Sequence, residues 1–276
     1  MDGLQGLRFS LAGPGRVGAS LARWAMASGA TLVAVAGRSP GAPAWEGGPP
    51  RIALGDLETA GQDLLLVAVS DGALASVAAA LAHRPQARVA LHTSGSQDAS
   101  VLAPLREAGT AVGSLHPLKA FHRPLPLPEE GRGVFFAVDG DPEAQDLARR
   151  LATVWGAVTA LVPPESRTLY HFAATLAAGG VTTLLAAAAE IADKLGLPPE
   201  VAKGYVELAR GAVTAARDAL DAERPLSSAI TGPAARGDRA TLARHLEALR
   251  HIAPDKLPLA LFAALETLRQ TDADGV

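Results

Sequence analysis

There is no cysteine among the 276 residues, so disulfides, thiol nucleophiles and thiolate metal ligands are all excluded. There is no asparagine either, and methionine occurs only twice. With 20 prolines, this shortage of heat-labile side chains points to a thermophilic source, although GC-rich coding gives the same Ala-, Arg-, Gly- and Pro-rich look. Aromatic residues make up 4%, which leaves the core to Leu, Val and Ala. Formal net charge is −3, too little and of the wrong sign to hold a nucleic acid. No charged start leads into a long apolar run, so no signal peptide is expected. The longest weakly polar stretch, Phe172 to Ala189, carries three threonines and two glycines, and reads as a buried helix rather than a membrane span. The expected setting is soluble and cytoplasmic, without membrane contact. The seven histidines form no H-E-x-x-H motif and no tight cluster with acids, so no metal site is expected. No nucleophile elbow is visible either.

What is present is an alternation. Short apolar runs at Leu7–Ala12, Thr31–Ala36, Asp63–Val69, Arg88–His92, Thr110–Leu115, Gly133–Val138 and Ala157–Val162 read as strands. Several lack polar alternation, as parallel strands covered on both faces do. Helical stretches lie between them at Gly15–Ser28, Gly72–His83, Ala99–Ala108 and Pro142–Val154. This rhythm predicts an α/β fold with a doubly wound sheet over residues 1–162. After Pro163-Pro164 the strand signal stops. Helices are predicted at Glu165–Leu195, Pro199–Ala219, Thr241–His251 and Lys256–Gln270, giving an all-α C-terminal domain over 163–276. Arg38–Arg51 and Pro124–Gly133 read as Pro/Gly-rich loops.

The sharpest motif is Gly13-Pro14-Gly15-Arg16-Val17-Gly18, a G-x-G-x-x-G directly after the first strand and opening the first helix. In that place Gly13 permits the tight turn, Gly15 admits a pyrophosphate, and Gly18 lets helix and strand pack closely. Free N–H groups at the helix start face the phosphates. The next strand ends in Gly37-Arg38-Ser39, where an NAD site wants Asp or Glu for the ribose 2′-hydroxyl. A guanidinium and a hydroxyl suit a 2′-phosphate instead, so NADP(H) is the expected cofactor. A methyltransferase that uses a similar loop for S-adenosylmethionine is a rival, weakened by the missing acid.

Ligands of open α/β sheets sit beyond the carboxyl ends of the strands. Val69-Ser70-Asp71 ends one strand; Asp71 is expected to cap the next helix and can also meet the cofactor ribose. His92-Thr93-Ser94-Gly95-Ser96 and Ser114-Leu115-His116-Pro117-Leu118-Lys119 end two more. His92, Thr93 and Ser94 are expected near the cofactor. His116, Ser94 and Lys119 are the catalytic candidates: His116 for proton transfer, Ser94 for hydrogen bonding, Lys119 for a substrate carboxylate. His171 and Arg236 join Lys119 as candidate substrate-binding residues. Arg236 and Asp238 are equally able to pair with each other.

Those segments, with Ile230-Thr231-Gly232-Pro233-Ala234-Ala235-Arg236-Gly237-Asp238, occur in an order that closely resembles a family of Rossmann-like proteins whose C-terminal helical domain is of unknown function. That family is similar in build to pyrroline-5-carboxylate reductase, ketopantoate reductase and the 6-phosphogluconate dehydrogenase-like enzymes. The resemblance covers nearly the whole chain and implies an NADP-linked oxidoreductase, with a helical domain that builds a homodimer. Ser94 and His116 also look like the Ser and His-Pro motifs of prephenate dehydrogenase, which implies that they flank the nicotinamide. The chain departs from the 6-phosphogluconate dehydrogenase-like pattern at Ala178-Gly179-Gly180, where such enzymes often carry an asparagine. The reading is therefore an NADP(H)-dependent oxidoreductase for a small anionic carbonyl, imine or hydroxy compound. The alternative is a non-catalytic NADP(H)-binding sensor or partner-binding protein, which would bind cofactor and turn nothing over.

Overall fold

The computed structural model describes residues 3–84, 86–125 and 127–272. The chain divides into two compact units, one up to Thr175 and one from Leu176. This division lies one helix beyond the expected boundary at residue 162. Within that helix Arg167 is a buried cation whose partners all belong to the first unit.

The first unit runs β1 (Arg8–Ala12), α1 (Arg16–Ala27), β2 (Thr31–Gly37), β3 (Arg51–Ala53), β4 (Leu64–Val67), α2 (Asp71–Leu81), β5 (Val89–His92), α3 (Ala103–Glu107), β6 (Ala111–Pro117), β7 (Phe135–Gly140), α4 (Pro142–Val154), β8 (Val158–Leu161) and α5 (Arg167–Thr175). The strands form one eight-stranded sheet in the order β3-β2-β1-β4-β5-β6-β7-β8. All neighbours are parallel except β6 and β7. The order reverses direction at β1, so a crevice opens there at the strand ends.

The central strands are buried on both faces, and β4 shows why its run has no polar alternation. Leu64 and Leu66 join a core with Phe9, Leu11, Trp24 and Leu151, whereas Leu65 and Val67 join a second core with Leu74, Ala78 and Leu102. Each such leucine contributes about 1.5–3 kcal/mol through burial. The first core holds the rare aromatics together: Trp24 meets Trp155 edge-on at 5.6 Å between ring centroids, and Phe121 at 5.9 Å.

Two features of the first unit depart from the sequence reading. Arg51–Ala53 forms the edge strand β3, although Arg38–Arg51 reads as loop; three residues paired on one side with β2 are too short for a periodic signal. Strand β7 runs antiparallel to β6 because no crossover helix lies between them, only a loop with a short 3-10 turn at Pro128–Gly131. Pro126, in the expected Pro124–Gly133 loop, lies outside the described residues.

The second unit is helical: a wide π-type turn at Leu176–Gly180, α6 (Val181–Lys194), α7 (Glu200–Asp221), α8 (Arg239–Ile252) and α9 (Leu257–Asp272). Gly196, with φ +68, ends the turn after α6 in the left-handed region, where a side chain would be strained. Asp238 caps α8 by accepting from the Thr241 amide at 3.0 Å. The helical run Pro164–Lys194 is long and apolar enough to cross a membrane by length and composition, with a most apolar window of mean hydropathy 1.7; only 6% of that window is buried, so the expected buried helix over Phe172–Ala189 is largely exposed.

Candidate functional site

The site is built at the carboxyl ends of β1, β2, β4, β5 and β6. Gly13 takes φ +94, and a methyl group there would sit 2.5 Å from the Ala68 carbonyl oxygen. At Gly18 it would sit 2.3 Å from the Gly13 oxygen, so α1 approaches β1 only through glycine. Gly15 faces open space, with nothing within 4 Å of an added methyl. It also caps α1 without a side-chain bond, and the first turn holds no acid. The first amides of α1 are therefore left for an anion.

A cavity of about 670 Å³ opens over this turn, floored by Gly13, Pro14 and Gly15 and flanked by Arg38, Arg51 and Leu54. A second of about 510 Å³ continues along Arg16, Val17, Asp71, Thr93, Ser94, Gly95, His116, Lys119 and His171. Gly15, Val69 and Ser70 line both, so the two make one groove. A glycine cradle at its middle, free helix amides and two arginines at one end fit a dinucleotide with an extra phosphate on its adenosine half. Arg51, unremarked in the sequence, is placed by the short β3; its Nε donates to the Ala42 carbonyl at 2.8 Å. Gly37 borders the cavity beside Arg38, and Ser39 is exposed just beyond it.

The second cavity gathers the expected catalytic residues. His116 Nδ1 lies 2.9 Å from the Tyr170 hydroxyl. A methyl at Gly95 would lie 2.7 Å from His116 Nε2 and 2.5 Å from His171 Nδ1, so both ring nitrogens converge over that glycine. His171 Nδ1 is buried without a hydrogen-bond partner among the described residues. Burial, reinforced by the neighbouring His171 and Arg167 charges, lowers the His116 pKa to about 4 and keeps the ring neutral at neutral pH. Lys119 is half-buried on the rim. The Ser94 hydroxyl lines the cavity and also accepts from the Gln97 amide at 3.1 Å, pinning the turn.

Two expectations are corrected. His92 does not reach the cofactor groove. Fully buried, it accepts from the Ser94 amide at Nδ1 (3.2 Å) and bonds the Asp98 carbonyl through Nε2 (3.1 Å), because the strand's inward pleat sends it under the loop. Burial lowers its pKa to about 4. Asp71 does not cap α2: Ser70 holds the cap position, while Asp71 accepts from Ser96 Oγ at 2.5 Å across the groove floor. Arg236 is exposed in the second unit, and no ion pair with Asp238 forms; Asp238 is occupied as the α8 cap.

Arg167, not among the residues singled out above, fixes the loop from beneath. Its Nη2 lies 3.3 Å from Asp139 Oδ1 and donates to Ser114 Oγ; its Nη1 donates to the Ser94 carbonyl at 3.4 Å. The one available signal was a lone arginine opening an apolar helical run.

No curated protein matches the chain. Among solved structures it is similar to a candidate NADP oxidoreductase from Bacteroides fragilis (20% identity, TM-score 0.75, covering 96% of this chain and 99% of that one). It is also similar to a protein from Thermotoga maritima (19%, 0.72, 96% and 99%). A third likeness is to a Plasmodium falciparum pyrroline carboxylate reductase with NADP bound (14%, 0.62, 98% and 100%). At these identities the likeness is one of fold. Residues 4–117 match the model of a Rossmann-like domain and residues 134–266 that of a domain of unknown function, DUF2520, so the chain joins a Rossmann-like domain to a DUF2520 domain.

Proposed function

We propose that the chain is an NADP(H)-dependent oxidoreductase acting on a small anionic carbonyl, imine or hydroxy compound. The observation that carries this reading is the continuous groove, with the glycine turn, free helix amides and Arg38 at one end and His116, His171 and Lys119 at the other. NADP(H), when bound, supplies hydride transfer. The chain's own residues do the rest. Amides of α1 hold the pyrophosphate, and Arg38 holds the 2′-phosphate as a charge-assisted pair. Val69, Ser70 and Thr93 line the path between them. His116, neutral, offers a proton donor or acceptor over Gly95, and His171 Nδ1 supplies a second polar contact there. Lys119 attracts a substrate carboxylate.

The test is a fluorescence titration with NADPH and NADH, repeated on Arg38→Ala. The expected result is NADPH binding at least about tenfold tighter than NADH, with most of that ratio lost in the variant, since a charge-assisted bond is worth about 1.5–3 kcal/mol. Failure of both dinucleotides to bind overturns the reading.

The proposal extends to assembly as a homodimer through the helical region, in the cytoplasm. Leu208, Val213, Phe262 and Leu265, all in the second unit, are each 60% or more exposed, a larger apolar display than an isolated chain sustains in water.

A further inference from the structure

The geometry points to Tyr170 as a positioning residue for His116: its hydroxyl donates to Nδ1, fixing the tautomer that carries the ring proton on Nε2 and aims it at the space over Gly95. This rests on the preceding reading for the identity of the reacting ligand, but the pair itself stands on its own contacts.

The pair is held from several sides. The rings of Tyr170 and His116 meet edge to face, 5.6 Å apart at 88°. Tyr170 also packs on Phe135 at 6.4 Å, and His116 meets His171 at 5.8 Å. The polarity follows from basicity. A neutral imidazole nitrogen is a far stronger base than a phenol oxygen, and a phenol is the more acidic donor, so the bond runs from O–H to N. With Nδ1 taken as acceptor, the proton of the neutral ring must sit on Nε2. Among the described residues His116 hydrogen-bonds through Nδ1 alone, which leaves Nε2 for a ligand. His171 Nδ1, partnerless and converging on the same point, gives that ligand a second contact.

The consequence is a two-step proton path. With NADPH bound to supply hydride, the carbonyl or imine carbon of the substrate would gain the new C–H bond while the C=O or C=N π pair moves onto the oxygen or nitrogen, and that atom would take the Nε2 proton: the Nε2–H bond breaks and the new O–H or N–H bond forms. The Nδ1–H bond forms as the Tyr170 O–H bond breaks. Burial raises the Tyr170 pKa, against the lowering effect of the Arg167 charge, so the tyrosinate is short-lived and regains its proton from solvent, to which Tyr170 is partly exposed. His116 thereby donates as a neutral ring without first becoming imidazolium.

The test is nitrogen-15 NMR of the histidine rings in the full-length protein at neutral pH. His116 is assigned by loss of its signals in His116→Gln, and NADPH is titrated in parallel. The expected wild-type spectrum shows the Nε2–H tautomer favoured by about fivefold or more, as one buried hydrogen bond dictates. Tyr170→Phe, which keeps the ring packing, should lower the ratio of the Nε2–H to the Nδ1–H tautomer by about fivefold. A wild-type Nδ1–H tautomer overturns the proposal without needing any variant to fold, and so does an unchanged ratio in Tyr170→Phe. If NADPH binds and the tautomer is wrong, this inference alone fails. If the tautomer is right and no dinucleotide binds, the pair stands and the oxidoreductase reading falls.

Discussion

His92 shows how one buried ring ties stability to pH. Its folded pKa of about 4 lies below the unfolded value near 6.5, so between these values the unfolded chain binds a proton that the folded one refuses. Stability from this residue is complete above about pH 6.5 and is lost as pH falls toward 4. Unfolding free energies from urea titrations at about pH 7.5 and about pH 4.5 should differ by roughly 2–3 kcal/mol more in the wild type than in His92→Gln. Equal pH dependence in the two would show that His92 titrates normally. His116 adds to the loss in the same direction.

The pairing of β7 against β6 brings Asp139 opposite Ser114, and α5 lays Arg167 over both. Arg167→Met leaves the Asp139 carboxylate buried without its cation. The expected cost is about 3–5 kcal/mol in chemical denaturation, and the double variant with Asp139→Leu should recover most of it. No change in the single variant would mean that the pair contributes nothing. This element-scale lock also marks where the sequence stops being readable. The G-x-G-x-x-G turn and the leucine-rich strands are local signals, and the glycine and burial rules behind them hold in the fold. The lock depends on residues 139 and 167 meeting residues 94 and 114 through an antiparallel strand that no local pattern announces. Edge strand β3, which brings Arg51 beside Arg38, is silent for the same reason. His92 and His116 looked alike as strand-end histidines, and only the pleat of β5 and β6 separates the buried structural ring from the one facing the groove.

For the whole molecule, the proposed homodimer would use the exposed apolar residues of α7 and α9, Leu208, Val213, Phe262 and Leu265. A groove of about 650 Å³ runs between α6 and α7, lined by Leu184, Leu185, Tyr205 and Leu208. Light scattering should give twice the chain mass at micromolar concentration. Leu208→Glu with Val213→Glu should shift the mass to that of one chain, because each substitution sets a charge where a partner's apolar surface belongs. A wild type of one-chain mass that stays soluble without detergent would remove the dimer from the proposal.

The antiparallel return of β7 also imposes an order in time. A ribosome releases the glycine turn, Arg38 and Arg51 long before it releases residues 167–171. The phosphate-binding half of the groove can therefore take shape on the nascent chain while its chemical half is still missing. Any ligand present during synthesis would meet a receptor for its adenosine end first, and the ring of reacting residues would close around it only as the last strand and helix of the first unit are threaded into place.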